Sequence, residues 1–439
     1  MATEDVPPGS STRVPVEEWR QTARQLKADS RDMESIFHRF PASLIDLGKQ
    51  YIEPLVVAIG PYHHGKPELK EMEKLKGAAA HRFIKDSRRS PEEIHDAVFD
   101  IAQQFRRFYV GVSVEVAGMS AHEFATMMLL DACFLLLYVR VMDADSQHTA
   151  DAALVSLQRV FISNRVCIEN DIMLLENQIP WSLVEKLNGL SVVRAPVDKF
   201  ISIMESTFKI HGHRRSVEPF LQYSGGHGLH LLALFRMEKI GRIRTHGVPE
   251  DPTNAITASA TELAQMAIKV QPCDTPDFLD MGIWTGKLSA NLYLAPLFLD
   301  ETRACWLVNM AAFEVCTASI EREDALMKRK TAVCSYLALL AMLMNREEDV
   351  HELRTKRLVQ ANLIDKETLN FFKSLVKHIN GGKLYTGIMA EISHYKWRKQ
   401  TWIKVHGFIK DNKKTIIAVL SIIGVLVGIF KTLLSIKTH

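Results

Sequence analysis

The sequence predicts a mainly α-helical body with a small β-sheet, an α+β class, closed by one C-terminal transmembrane helix. Three observations predict it. Apolar residues recur every three or four positions through most of the chain, a central region alternates and turns, and an aliphatic run precedes the C-terminus. The chain has 439 residues, enough to bury a large core, and its 47% hydrophobic and 24% charged content is that of a globular protein. A net charge of +3 is too small to argue for nucleic-acid binding.

Residues 1–32 are polar, with Pro and Ser at the start, and read as a flexible tail carrying a short helix near Trp19–Leu26. No apolar signal follows Met1 and no Asn-x-Ser/Thr acceptor occurs, which favours a cytosolic body. A helix-rich domain is expected over 33–409. Within it, Tyr51–Gly65 is apolar and bracketed by Pro and Gly, an extended segment ending in a turn. Leu69, Met72, Leu75, Ala79 and Phe83 then form one face of a helix.

Phe124–Val139 is apolar almost all round, broken only by Asp131. A membrane span needs about 20 apolar residues, so this run reads as a helix buried in the core. Pro180 disfavours helix at Ile179, which predicts one helix stopping there and another starting at the proline. Residues 206–256 lose periodicity and carry Lys209, Arg214, Arg215, Arg236, Lys239, Arg242 and Arg244, an irregular basic insertion.

Turn residues and alternation in Phe278–Ile283 and Leu288–Leu299 predict the sheet. Helices resume over Val308–Ala318 and Lys330–Met344. Asn345 and Glu348 have capping-box spacing for the next helix. Asp365 caps another, with a stripe at Leu369, Phe372, Leu375 and Ile379, and Gly381-Gly382 ends it.

Residues 410–439 form a juxtamembrane segment and the span, Thr415–Ile436. Twenty-two helical residues reach about 33 Å, against a hydrocarbon core of about 30 Å. Lys396, Arg398, Lys399, Lys404, Lys410, Lys413 and Lys414 precede it and Lys437 follows, so the body is expected on the cytosolic side of a single-pass anchor. The plasma membrane and an endomembrane are the two expected locations.

Several blocks together resemble the plant domain of unknown function 247 family, also called uncharacterised protein family 0481. They are Gly60-Pro61-Tyr62-His63-His64-Gly65, Met72-Glu73-x-x-Lys76, Leu130-Asp131-Ala132-Cys133-Phe134, and Asp171-Ile172-x-Leu174-Leu175-Glu176-Asn177-Gln178-Ile179-Pro180. Further along come Ala260-Thr261-Glu262-Leu263, Leu294-Ala295-Pro296-Leu297, Asn309-Met310-Ala311-Ala312-Phe313-Glu314 and Glu348-Asp349-Val350. The resemblance covers roughly residues 35–410. It implies a helix-rich plant protein with a C-terminal membrane segment and no agreed activity. Ala132 and Trp181 depart from the usual Gly and Phe of the pattern.

His63 and His64 are adjacent, and in an extended chain their side chains point apart, which disfavours a shared metal and favours a turn. Asp131, Asp171, Glu176, Asn177 and Gln178 must find partners if buried, and Lys76, Arg140, Arg159 and Arg165 are candidates. A structural polar network is the expected role. The alternative is an enzyme pocket using Asp131 or Glu176 as acid or base. His211, His213, His227 and His230 form a loose cluster read as surface loop. The six cysteines form no C-x-x-C pair, which points to buried free thiols. No phosphate-binding, dinucleotide or hydrolase motif occurs. The functional expectation is a membrane-tethered protein-interaction, recognition or signalling component, using the membrane through 415–436 and another protein as partners, without cofactor, metal or nucleic acid.

Overall fold

The computed structural model describes residues 37–143, 152–208, 230–241, 257–286, 289–317 and 329–437. The expected tail and its Trp19–Leu26 helix lie outside them. The described chain is mostly helical with two small sheets.

Helix α1 (Lys70–Ser87) buries Met72, Ala79 and Phe83, as its apolar spacing dictates. Helix α2 (Pro91–Arg106) starts at a capping box in which Ser90 accepts the Glu93 amide and Glu93 returns the bond. Both pack against α3 (Ala121–Met142), capped in the same way by Ser120 and Glu123. Helix α3 is long and apolar enough to cross a membrane by composition, yet 83% of its apolar window is buried inside the protein. Neighbouring helices cover most of it, leaving Thr126 exposed, and Asp131 lies within it at 1% exposure.

Helix α4 (Arg165–Asp171) ends well before Ile179. The expectation that a helix would run to the proline is corrected here. Residues 172–180 form an irregular loop, because the Gln178 side chain bonds the carbonyls of Ile172 and Leu174, and that of Asn177 the Asp171 carbonyl at the helix end, in place of a helical ladder. Pro180 is the N-cap of α5 (Trp181–Leu190).

A second correction concerns 206–256. Leu231–Ile240 is a helix, α6, with Leu232, Phe235 and Lys239 fully buried. His230 is its buried N-cap, accepting the Ala233 amide at Nδ1, so it is no surface histidine. Lys209, Arg214, Arg215, Arg242, Arg244, His211, His213 and His227 lie outside the described residues.

Strands β1 (Ile268–Pro272), β2 (Gly282–Thr285) and β3 (Ala290–Leu294) form a sheet of order β1-β3-β2. Strand β1 runs parallel to β3, with Ile268 opposite Ala290, and β2 runs antiparallel, with Gly282 opposite Tyr293. Ala290, Leu292 and Leu294 face inward in alternation. Strand β4 (Leu297–Leu299) pairs in parallel with β5 (Val359–Ala361) in a second sheet. The sequence reading anticipated the region of β2 to β4 but not β1 or β5.

Helix α7 (Glu301–Thr317) begins seven residues before the expected Val308, and α8 (Ala332–Leu343) packs beside it. The cap before α9 (Glu347–Thr355) is shifted by one from the expected Asn345 and Glu348. Asp349, buried, accepts the amides of Asn345 and Arg346 and both the amide and hydroxyl of Thr261. Asp365 does not cap α10 (Asp365–Val376). Its carboxylate pairs with Arg354 at 2.8 Å, and Glu367 accepts the Ile364 amide instead. Gly382, at φ 68°, opens α11 (Gly382–Arg398) rather than ending α10.

Helix α12 (Gln400–Asp411) leads into α13 (Lys413–Lys437). Among the described residues, the helix that meets the length and hydropathy of a span is the internal α3. The apolar stretch of α13, Thr415–Gly428, falls short of that length. Its side chains do not pack on the body: Leu420, Ile422, Val425 and Val427 are each about 60% exposed.

Candidate functional site

The segment 52–66 has no strand or helical ladder, yet Val57, Ala58 and Ile59 are almost fully buried. Buried amides need acceptors, and here they are side chains brought from elsewhere in the chain. Asp171, at the end of α4, accepts the amides of Leu55, Val56 and Val57 at 2.8, 2.8 and 2.9 Å. Asn177 accepts from Ile59 at 2.6 Å and donates to the carbonyls of Val57 and Asp171. Asp131 accepts the Gly60 amide at 2.7 Å. Three motif side chains thus hold five amides of one extended segment.

Asp131 also meets Lys76 at 2.6 Å, and both side chains are 1% exposed. Lys76 was one of the four candidate partners. Burial pushes the Asp131 carboxyl up, while Lys76 and the Gly60 amide oppose that rise. Burial would lower Lys76, but Asp131 and Glu73 outweigh it and the ammonium is raised. Two of the other candidates go elsewhere. Arg140 pairs with Asp86 and Arg165 with Glu169.

The partner of Glu176 is Arg39, at 2.6 Å, and its second oxygen accepts the Phe40 amide at 2.8 Å. Arg39 also lies over the Tyr62 ring and donates to the Gly111 carbonyl. Sequence reasoning missed Arg39, although a lone cation in Phe37-His38-Arg39-Phe40 is the available signal. Gln178 donates to the carbonyls of Ile172 and Leu174, and its side-chain oxygen accepts the Leu232 amide.

Gly60 adopts φ 81°, and a Cβ there would stand 2.4 Å from the Gln178 carbonyl oxygen, so only glycine fits. Gly65 also adopts φ 81°, within the turn in which the Lys66 amide donates to the His63 carbonyl. Tyr62 donates to the Phe37 carbonyl at 2.5 Å, and burial pushes its phenol up to about 12. His63 is buried and stands 3.8 Å from Glu176, whereas His64 is only partly buried. Burial, with Lys66 and Arg39 nearby, lowers His63 to about 3. No group of three or more His, Cys, Asp or Glu among the described residues could hold a metal.

Asn309 and Glu314 extend the same pattern on α7. Asn309 accepts the Leu175 amide and donates to the carbonyls of Tyr51 and Cys305. Glu314, fully buried, accepts from Arg236 at 2.5 and 2.9 Å and from the amides of Val333 and Cys334 at the start of α8. Arg236, assigned from sequence to a basic loop, is an interior ion-pair partner. Neither Asp131 nor Glu176 lines the 610 Å³ cleft beside Tyr51 and Phe371, or the small cavities beside Arg140 and beside Trp181. All six cysteines are free thiols.

The fold and these bonds define an α+β protein whose sequence motifs form an internal polar lattice. The chain belongs to a plant family of unknown function, domain of unknown function 247, whose model matches residues 37–427. It is similar to the UPF0481 protein At3g47200 of Arabidopsis thaliana, 23% identical over 385 residues, a match covering 81% of this chain and 75% of that protein. No solved structure matches it.

Proposed function

We propose that the protein is a membrane-tethered component of protein recognition or signalling in plants, anchored by α13 with its body in the cytosol. The observation that carries this reading is the run of exposed aliphatic side chains on α13, from Ile417 to Val427, with no protein surface over them. Leaving such a run in water is unfavourable by about 25 cal/mol per Å² of apolar surface, and lipid relieves it. Lys396, Arg398, Lys399 and Lys404 precede the helix, on the side that the positive-inside rule assigns to the cytosol. Exposed Trp397 and Phe408 suit the headgroup zone.

The commitment of Asp131 and Glu176 to internal bonds favours interaction over acid-base chemistry. Another protein is the expected partner, and the basic residues of 209–229 are the segment to remove in testing it. A deletion reaching 246 would also take out core helix α6. Proximity labelling of the intact protein should recover that partner reproducibly, and equal recovery after deletion of 209–229 would exclude that segment.

The anchor is tested by membrane partition. The full chain should pellet with membranes and resist alkaline wash, and a chain ending at Asn412 should be released. Equal soluble pools for the two chains would refute tethering through α13.

A further inference from the structure

Helix α12 carries apolar residues on two opposite sides. Ile403 packs against the core of the body. Val405, Phe408 and Ile409, three and four positions apart, share the other side and are 44%, 65% and 47% exposed. Trp397, in the last turn of α11, is 78% exposed just before them. The solvent side of a helix is ordinarily polar, so this face is built to be covered.

The charge around it has one sign. Lys396, Arg398, Lys399, Lys404, Lys410, Lys413 and Lys414 stand in this segment against a single acid, Asp411. The segment thus holds a larger positive excess than the +3 of the whole chain, and the rest of the protein is net acidic. Lys396, Arg398 and Lys404 are exposed and make no hydrogen bond or ion pair among the described residues. Asn412, at φ −104° and ψ 16°, departs from helical geometry between α12 and α13, so the two are separate elements. The exposed aliphatic run of α13 begins five residues further on, at Ile417.

We propose that this face of α12 is a docking surface for anionic phospholipid headgroups, on the bilayer that α13 enters. The inference rests on the membrane reading above and adds to it a lipid preference and a second contact with the bilayer. Val405, Phe408 and Ile409 would enter the boundary between headgroups and acyl chains, with Trp397 in the headgroup layer. The exposed cations would meet lipid phosphates and carboxylates. A second copy of the chain would bring the same cations against one another. A neutral bilayer would cover the apolar side chains and leave the cations unmatched. An acidic protein would match the cations, but α13 holds this segment beside lipid.

The test uses the full chain in nanodiscs of phosphatidylcholine alone or with about 30% phosphatidylserine. The phosphatidylcholine is brominated high on its acyl chains, so it quenches tryptophans that reach the interface. The signal of Trp397 is the difference between the wild type and Trp397→Phe. Its quenching should be about twofold greater or more in the anionic discs, and about 0.5 M salt should remove that difference. Lys396→Gln with Arg398→Gln and Lys404→Gln should remove it too. Val405→Asp with Phe408→Asp should bring the anionic discs down to the neutral level. All five side chains are exposed, so these changes leave the fold intact. A chain that co-elutes with neither disc would overturn the anchor and this inference together. Co-elution with Trp397 unquenched, or quenched equally in the two discs, would overturn this inference alone. Two chains per disc with Trp397 shielded from bromine would assign the face to a second copy and overturn it as well.

Discussion

Replacing Asp171 with alanine should cost about 4 kcal/mol or more of stability, enough to deplete the folded protein in cells. The carboxylate receives three amides from 55–57, and Val56 and Val57 have no other acceptor among the bonds of this region. The Leu55 side chain is 58% exposed, so its amide can turn to water, whereas Val57 is fully buried. An orphaned buried amide is unfavourable by about 1–3 kcal/mol, and the missing carboxylate also leaves a void. Against a typical total of about 5–15 kcal/mol the loss is severe. Asp171→Asn retains one acceptor oxygen and should lose less. Guanidinium denaturation of the purified variants measures both. A folded Asp171→Ala protein with an unchanged midpoint would mean that the segment is held by something else.

Acid should weaken the protein well before its carboxylates titrate generally. His63 and His230 are buried, and burial lowers both to about 3 from an ordinary 6.5. His230 has a second reason to stay neutral, since its Nδ1 accepts the Ala233 amide. A group whose folded pKa is depressed binds its proton more readily when unfolded. The contribution of each histidine is therefore whole above pH 6.5 and is lost as pH falls from 6.5 toward 3. By pH 5 that is about 2 kcal/mol for each. Asp171 acts with the opposite sign. Burial pushes it up to about 6 from 3.8, so it returns about 1 kcal/mol between pH 7 and pH 5. The net loss should be about 2–3 kcal/mol over that interval. Denaturation midpoints of the wild type and of His63→Gln/His230→Asn at the two pH values isolate the histidines. A double variant as acid-sensitive as the wild type would remove them from the account.

Much of this architecture was legible because it is periodic. The face Met72, Ala79 and Phe83 needs no tertiary knowledge, and the all-apolar run around Asp131 was read as a core helix because it is short and carries a charge. Lys76 was within reach for the same reason, as a cation in an amphipathic helix. What escaped was set by contacts between distant segments. Residues 172–178 leave the helix because Gln178 bonds the carbonyls of Ile172 and Leu174 and Asn177 that of Asp171 just before them, while the amides they also serve belong to 59 and 232. Arg236 and Lys239 read as surface charge by composition, yet Glu314 and the Pro276 carbonyl hold them inside. The cap at Asp349 moved by one residue because Thr261 shares it. Strands β1 and β5 are short and pair in parallel with strands elsewhere in the chain, which local alternation does not encode.

The motif carboxylates and amides serve the backbone of 55–60. Hydrogen exchange of the native protein tests it most directly. The amides of Val56, Val57, Ile59 and Gly60 should exchange as slowly as those in the middle of α3, although they belong to no helix or strand. Exchange at these four amides as fast as in an exposed loop would contradict it.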